Sequence, residues 1–190
     1  MGELLKGVSD LPVSLLALVL GYLLRERGQN RWALVFFLAG IGAAMGAFVH
    51  AVPLEPEVYR TVWFMLYSLL YGTVLLFRLR VLNEPPKVSL YVLGALLWLL
   101  TIILLLRGSR WDVYVFALFA AVVMVPVFVR VFAQPDASPY LKRMLIAAAL
   151  ALAFQALKAV IPYGVVLGHV CLMIALVFAY QFAVRQEDAE

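Results

Sequence analysis

Two histidines, His50 and His169, are the only imidazoles in the chain, and each lies within or at the end of a strongly apolar run. When the apolar runs are traced as antiparallel helices, Asp10, His50, Gln155, Lys158 and His169 all fall toward the same end. His169 is placed about five residues into its run, roughly 8 Å deep at the helical rise. Ionisable groups are costly in an apolar span and commonly mark a ligand, ion or proton path. Several chemistries fit this set. A catalytic zinc usually takes three protein ligands, which Asp10, His50 and His169 would supply. A bis-histidine haem would need only His50 and His169, although nothing else in the chain argues for haem. For nucleophilic hydrolysis, Ser14 lies one turn beyond Asp10, with His50 as its base.

Each residue also has a structural reading. Ser9 or Asp10 can cap the first helix. His50 suits the negative end of a helix dipole, and Lys158 can extend its amine to the interface. His169 can hydrogen-bond across helices. Gly42 and Gly46 form a small-residue stripe with His50 at i, i+4 and i+8, which lets a neighbouring helix approach closely. Tyr67, Tyr71 and Trp98 read as core. Cys171, the single cysteine, is about 200° around the helix from His169 and cannot share its face.

The elements that must position these residues follow from composition. The 190 residues are 66% hydrophobic and only 14% charged, against about 25% charged residues in a soluble domain. In lipid every backbone amide needs a partner, which leaves helices or a closed barrel. Runs such as 88–106 and 113–129 are apolar nearly all round, without the period-two alternation of barrel strands. The expectation is an all-α polytopic bundle, residues 1–190 forming one transmembrane domain. Its spans are expected at 9–25, 31–51, 58–79, 88–107, 110–133, 138–160 and 164–185. Pro12 is tolerated in an opening turn, and Pro53, Pro56 and Pro85-Pro86 punctuate the connections. Ser138-Pro139 reads as a cap followed by proline at the first helical position. A turn is required near 161–164, since one helix over 138–185 would run roughly 70 Å. The first apolar segment has arginines behind it rather than a small-residue cleavage site, so it reads as retained. No extramembrane domain fits between the spans, and nucleic acid is not an expected partner.

Basic residues set the sidedness. Lys6, Arg60, Arg107, Arg110 and Lys158 lie on the N-terminal side, and the other ten lysines and arginines on the opposite side. The richer side is expected in the cytoplasm, which puts the N-terminus outside and the C-terminus inside. Tyrosines and tryptophans near both ends of the runs form two interfacial belts. No internal repeat is evident, and only Pro126 interrupts a span from within, which argues against a transporter with matched broken helices.

Ser9-Asp10 in the first helix, Gly46-x-x-x-His50 in the second, Trp63 in the third and His169-Val-x-Leu-Met in the seventh resemble a group of uncharacterised prokaryotic seven-helix membrane proteins. More remotely, the arrangement is similar to the superfamily of intramembrane hydrolases that includes alkaline ceramidases and adiponectin receptors. That resemblance implies a zinc site held by a second-helix histidine and two seventh-helix histidines, assisted by a serine and an aspartate. The chain departs from the pattern. Gly46 stands where the serine is expected, Met173 where the second seventh-helix histidine is expected, and the third helix has no aspartate. The resemblance thus implies a zinc site lost or rebuilt. It places the chain in a prokaryotic inner membrane as a multi-pass protein.

The function expected from these readings is binding of a small or lipidic ligand, or of a membrane-protein partner, in a pocket of Asp10, His50, Gln155, Lys158 and His169 near the non-cytoplasmic leaflet. The alternative is a metal-dependent hydrolase of lipid amides or esters. A small transporter is third.

Overall fold

The structure is a computed structural model that describes residues 2–84, 87–109, 111–157, 160–161 and 163–187. Among these residues there are seven helices and no strand: α1 (Gly2–Glu26), α2 (Asn30–Ala51), α3 (Pro56–Leu82), α4 (Val88–Leu106), α5 (Asp112–Ala133), α6 (Pro139–Ala156) and α7 (Gly164–Glu187). All but α6 are long and apolar enough to cross a membrane. Seven spans were expected, and α6 is the shortfall. It has 18 residues, and its second turn carries Lys142 and Arg143. The Lys142 amine turns back to donate to the carbonyls of Gln134 and Pro135 at 2.9 and 3.3 Å.

The helix ends follow local chemistry. Gly28, at φ +79°, stops α1: its N–H reaches the Arg25 carbonyl while that of Gln29 reaches Leu24, both at 2.9 Å. Gly108, at φ +68°, ends α4 with the same pair of bonds, to Leu105 and Leu104. This left-handed closure satisfies the last carbonyls of a helix and favours glycine. Pro56 and Pro139 open α3 and α6, where a missing N–H is harmless. Ser138 precedes Pro139 as expected, but its side chain makes no cap bond. The first helix begins seven residues before its expected start, so Ser9 and Asp10 lie inside α1 and cap nothing. Leu4 and Leu5 are good helix formers, and they carry the helix back past Ser9. The turn expected at 161–164 exists in that α6 ends at Ala156 and α7 begins at Gly164. Pro162, Pro85, Pro86 and Arg110 lie outside the described residues.

The described chain divides into two compact units. The first comprises residues 1–52 and 131–190. In it α1 packs on α2 and on α7, and α7 packs on α6. The α1–α2 contact is close: a Cβ on Gly40 would lie 2.8 Å from Leu18 Cγ, and one on Gly21 would lie 3.0 Å from Phe37. Gly42 is also buried on α2. At the far end of this unit the Gln29 amide donates to the Ala183 carbonyl at 3.0 Å, and the Trp32 indole to Gln186 at 3.1 Å. Arg27, Arg143 and Arg185 lie over the rings of Tyr180, Phe178 and Tyr140.

The second unit, residues 53–130, packs around Tyr71, Phe119 and Val123. The Tyr71 and Phe119 rings stack with centroids 4.1 Å apart. A small polar ladder runs through it. Tyr71 and Thr101 share a 2.9 Å hydroxyl bond, the Tyr67 hydroxyl donates to Asp112 at 3.1 Å, and the Trp98 indole donates to Ser68 at 3.2 Å. Tyr67, Tyr71 and Trp98 are thus core residues, as read from sequence, whose polar ends are also satisfied.

Candidate functional site

α1 and α7 run parallel, since Asp10 meets His169 at one end and Gln29 meets Ala183 at the other. α2 returns antiparallel to α1, bringing Gly46 beside Asp10. α6 lies antiparallel to α7, with Ala151 and Gln155 across from Gly168. Ser9, Asp10, Gln155 and His169 therefore gather at one end of the first unit.

The centre of the cluster is the His169 ring. Its Nε2 lies 3.0 Å from Asp10 Oδ1, and its Nδ1 lies 2.7 Å from Ser9 Oγ. Consecutive residues on α1 point about 100° apart, so Ser9 and Asp10 reach the two nitrogen-bearing edges of one ring. With Asp10 ionised, the Nε2–H donates to its carboxylate. In the neutral ring, Nδ1 then accepts the Ser9 hydroxyl; in the imidazolium, Nδ1–H donates to the Ser9 oxygen. Both states use the same heavy-atom positions. The two charged-type side chains are only 12% and 14% exposed, so the bonds form largely out of water, where a polar group left unmatched is expensive.

Two glycines make room for this arrangement. A Cβ on Gly46 would lie 3.2 Å from Asp10 Oδ2, and a Cβ on Gly168 would lie 3.1 Å from the Ala151 carbonyl and 3.3 Å from the Gln155 amide nitrogen. Gly46 was read as part of a helix-packing stripe; what it admits here is the carboxylate of Asp10. His50 lies within electrostatic reach of the His169 ring. Lys158, the fifth residue of the expected pocket, lies outside the described residues.

Among the described residues, no three His, Cys, Asp or Glu side chains are grouped to hold a metal ion. Asp10 and His169 turn toward each other instead, and His50 does not complete a triangle with them. The alternative nucleophile also differs from expectation. Ser14 is buried and donates to the Gly40 carbonyl at 2.8 Å, so its hydroxyl ties α1 to α2. The serine that meets a histidine is Ser9, and the histidine is His169. Ser9 escaped selection because it was read as a cap. Its position next to the only aspartate of the first helix was the available signal.

A hydroxyl bonded to an imidazole whose other nitrogen faces a carboxylate is the arrangement of a general base beside a nucleophile. The backbone around it is less suited to acyl transfer. Ser9 lies inside a helix, where N–H groups are committed to carbonyls four residues back, so α1 itself offers it no backbone oxyanion hole. Pro12 has no N–H to donate to the Val8 carbonyl, so the irregularity beside the site leaves an acceptor and not a donor.

A family model described as a family of unknown function (DUF6962) matches residues 5–188. Searches of curated proteins and of solved structures found no match. None of these comparisons supports the resemblance to alkaline ceramidases and adiponectin receptors, or a prokaryotic source.

Proposed function

The chain belongs to that family of unknown function, and we propose that it is a multi-pass membrane protein that binds a small or lipidic ligand at the Ser9–His169–Asp10 array. The observation that carries this reading is the pair of bonds to His169, 2.7 Å to Ser9 and 3.0 Å to Asp10. Binding sites combine apolar walls with a few fixed polar groups. Here a hydroxyl, a carboxylate and an imidazole are fixed against each other at one end of the first unit. Asp10 Oδ2 offers an acceptor to a ligand donor such as a hydroxyl or an amide. His50, Gln155 and Lys158 complete the expected lining. In this proposal α6 also crosses the bilayer of the cell membrane, giving seven spans. The end bearing Arg27, Arg143 and Arg185 then faces the cytoplasm and the array faces the opposite leaflet.

The test is mass spectrometry of organic extracts from protein purified in a mild detergent. A species enriched with wild-type protein and depleted from folded Ser9→Ala and Asp10→Asn variants is expected. Identical extracts from all three would remove the binding site from this array.

The bond from Ser9 to Nδ1 favours one second reading, a metal-independent hydrolase with Ser9 as nucleophile, His169 as base and Asp10 orienting the ring. That α1 offers no backbone oxyanion hole ranks it second, since one such donor is worth about 100- to 1,000-fold in rate. A fluorophosphonate probe separates the two. Covalent labelling of Ser9 that is lost in His169→Gln would establish the hydrolase, and unlabelled Ser9 in folded protein leaves the binding site.

A further inference from the structure

In the second unit, the face of α3 that bears the core residues Tyr71, Val74 and Leu75 continues at Arg78, which is i+7, i+4 and i+3 from them. Arg78 lies four residues before the end of α3, about 6 Å inside it at the helical rise. An arginine this near a membrane interface would ordinarily extend its guanidinium into the headgroup water. In Arg78, Nε and Nη1 are buried and have no hydrogen-bond partner among the described residues, although the residue as a whole is partly exposed. The nearby acid in sequence, Glu84, is held by Arg130 at 2.8 Å. Further positive charge is close in sequence at Arg80 and Lys87. A guanidinium withdrawn from water without an anion is strongly disfavoured, and its planar fork matches two oxygens of a phosphate.

We propose that Arg78 anchors an anionic-lipid site at the end of the second unit where α3 terminates, its guanidinium holding the phosphate of a lipid headgroup. A lipid is favoured over soluble phosphate because Arg78 lies within a helix long and apolar enough to span a bilayer, at the depth of its last turns. There the phosphates of the facing leaflet are the nearest anions. Nothing in this inference depends on the array around His169.

The experiment is native mass spectrometry of the full chain in a non-ionic detergent, titrated separately with dioleoyl phosphatidic acid, dioleoyl phosphatidylcholine and inorganic phosphate. Wild type is expected to retain phosphatidic acid in preference to phosphatidylcholine and to ignore inorganic phosphate at equal concentration. Arg78→Gln should bind phosphatidic acid about tenfold more weakly, the order of one charge-assisted contact. Arg78→Lys, which keeps the charge but not the fork, should fall between, and Lys87→Gln should match wild type. Equal phosphatidic acid binding by wild type and Arg78→Gln would overturn the proposal. So would equal retention of the two lipids by wild type, a result that needs no variant to fold. Displacement of phosphatidic acid by equimolar inorganic phosphate would overturn the lipid assignment.

Discussion

Removing the Asp10 carboxylate is the most informative perturbation of the array, because it strands one nitrogen of a ring that is bonded on both sides. Fully buried ion pairs lose about 3–5 kcal/mol when one partner is deleted. Ordinary interhelical hydrogen bonds in membranes average about 0.6 kcal/mol. The Asp10–His169 bond should lie between these limits. It is charge-assisted and 3.0 Å long, yet both side chains keep some exposure, 14% and 12%. The expectation for Asp10→Ala is a loss of about 2–3 kcal/mol, in the range of bonds to charged groups. For a chain of this length that corresponds to about 4–12 °C in Tm. Ser9→Ala breaks a neutral bond and should lose about 1 kcal/mol. The assay is unfolding in mixed micelles titrated with dodecyl sulfate, followed by helical circular dichroism for Asp10→Ala, His169→Ala and the double variant. Once His169 is gone, Asp10→Ala should matter little, giving a coupling of about 2–3 kcal/mol. Losses that add to within about 0.5 kcal/mol, or a larger effect from Ser9→Ala than from Asp10→Ala, would refute the reasoning.

Gly40→Ala sets a Cβ 2.8 Å from Leu18 Cγ and 3.2 Å from the Leu18 backbone nitrogen. It should destabilise the α1–α2 hairpin by about 1–3 kcal/mol, read in the same unfolding assay. Thr101→Val keeps the shape of a fully buried residue but removes the hydroxyl shared with Tyr71. A loss of about 1–2 kcal/mol is expected, and much of it should be recovered by adding Tyr71→Phe, which removes the stranded partner. Glu84→Gln breaks the Arg130 ion pair, whose side chains are about half exposed. Its effect on Tm should correspond to less than about 1 kcal/mol and shrink further in high salt.

The helices were legible because apolar length is a strong signal and lipid permits few backbone solutions. Six of the seven start within about two residues of their expected positions, as helix assignments commonly do. α1 was misjudged for a physical reason. Ser9 and Asp10 have the chemistry of caps, and nothing local reveals that their partner is a ring 159 residues further along the chain from Asp10. α6 falls short of a span by length and composition because Lys142 and Arg143 take up a turn of a short helix. The gathering of Asp10, Gln155 and His169 at one end follows from antiparallel tracing, while the choice of which nitrogen meets which oxygen depends on helix rotation, which periodicity does not encode. Asp112 went unnoticed for a related reason. A carboxylate in an opening helical turn is ordinary, and only the fold shows that it is buried and bonded to Tyr67. Arg78 reads in sequence as an interfacial cation, and its buried nitrogens are visible only in three dimensions.

The claim on which the proposed site rests is that His169 is held at both nitrogens within the bundle, and nitrogen NMR of the histidine side chains tests it most directly. The chain has only two histidines, so a His50→Gln variant in lipid nanodiscs isolates the signals of His169. The account predicts one ordered ring with a hydrogen-bonded Nε2–H, together with an Nδ1 shift that moves in Ser9→Ala and an Nε2 shift that moves in Asp10→Asn. A mobile ring, or nitrogen shifts indifferent to both substitutions in folded protein, would contradict it.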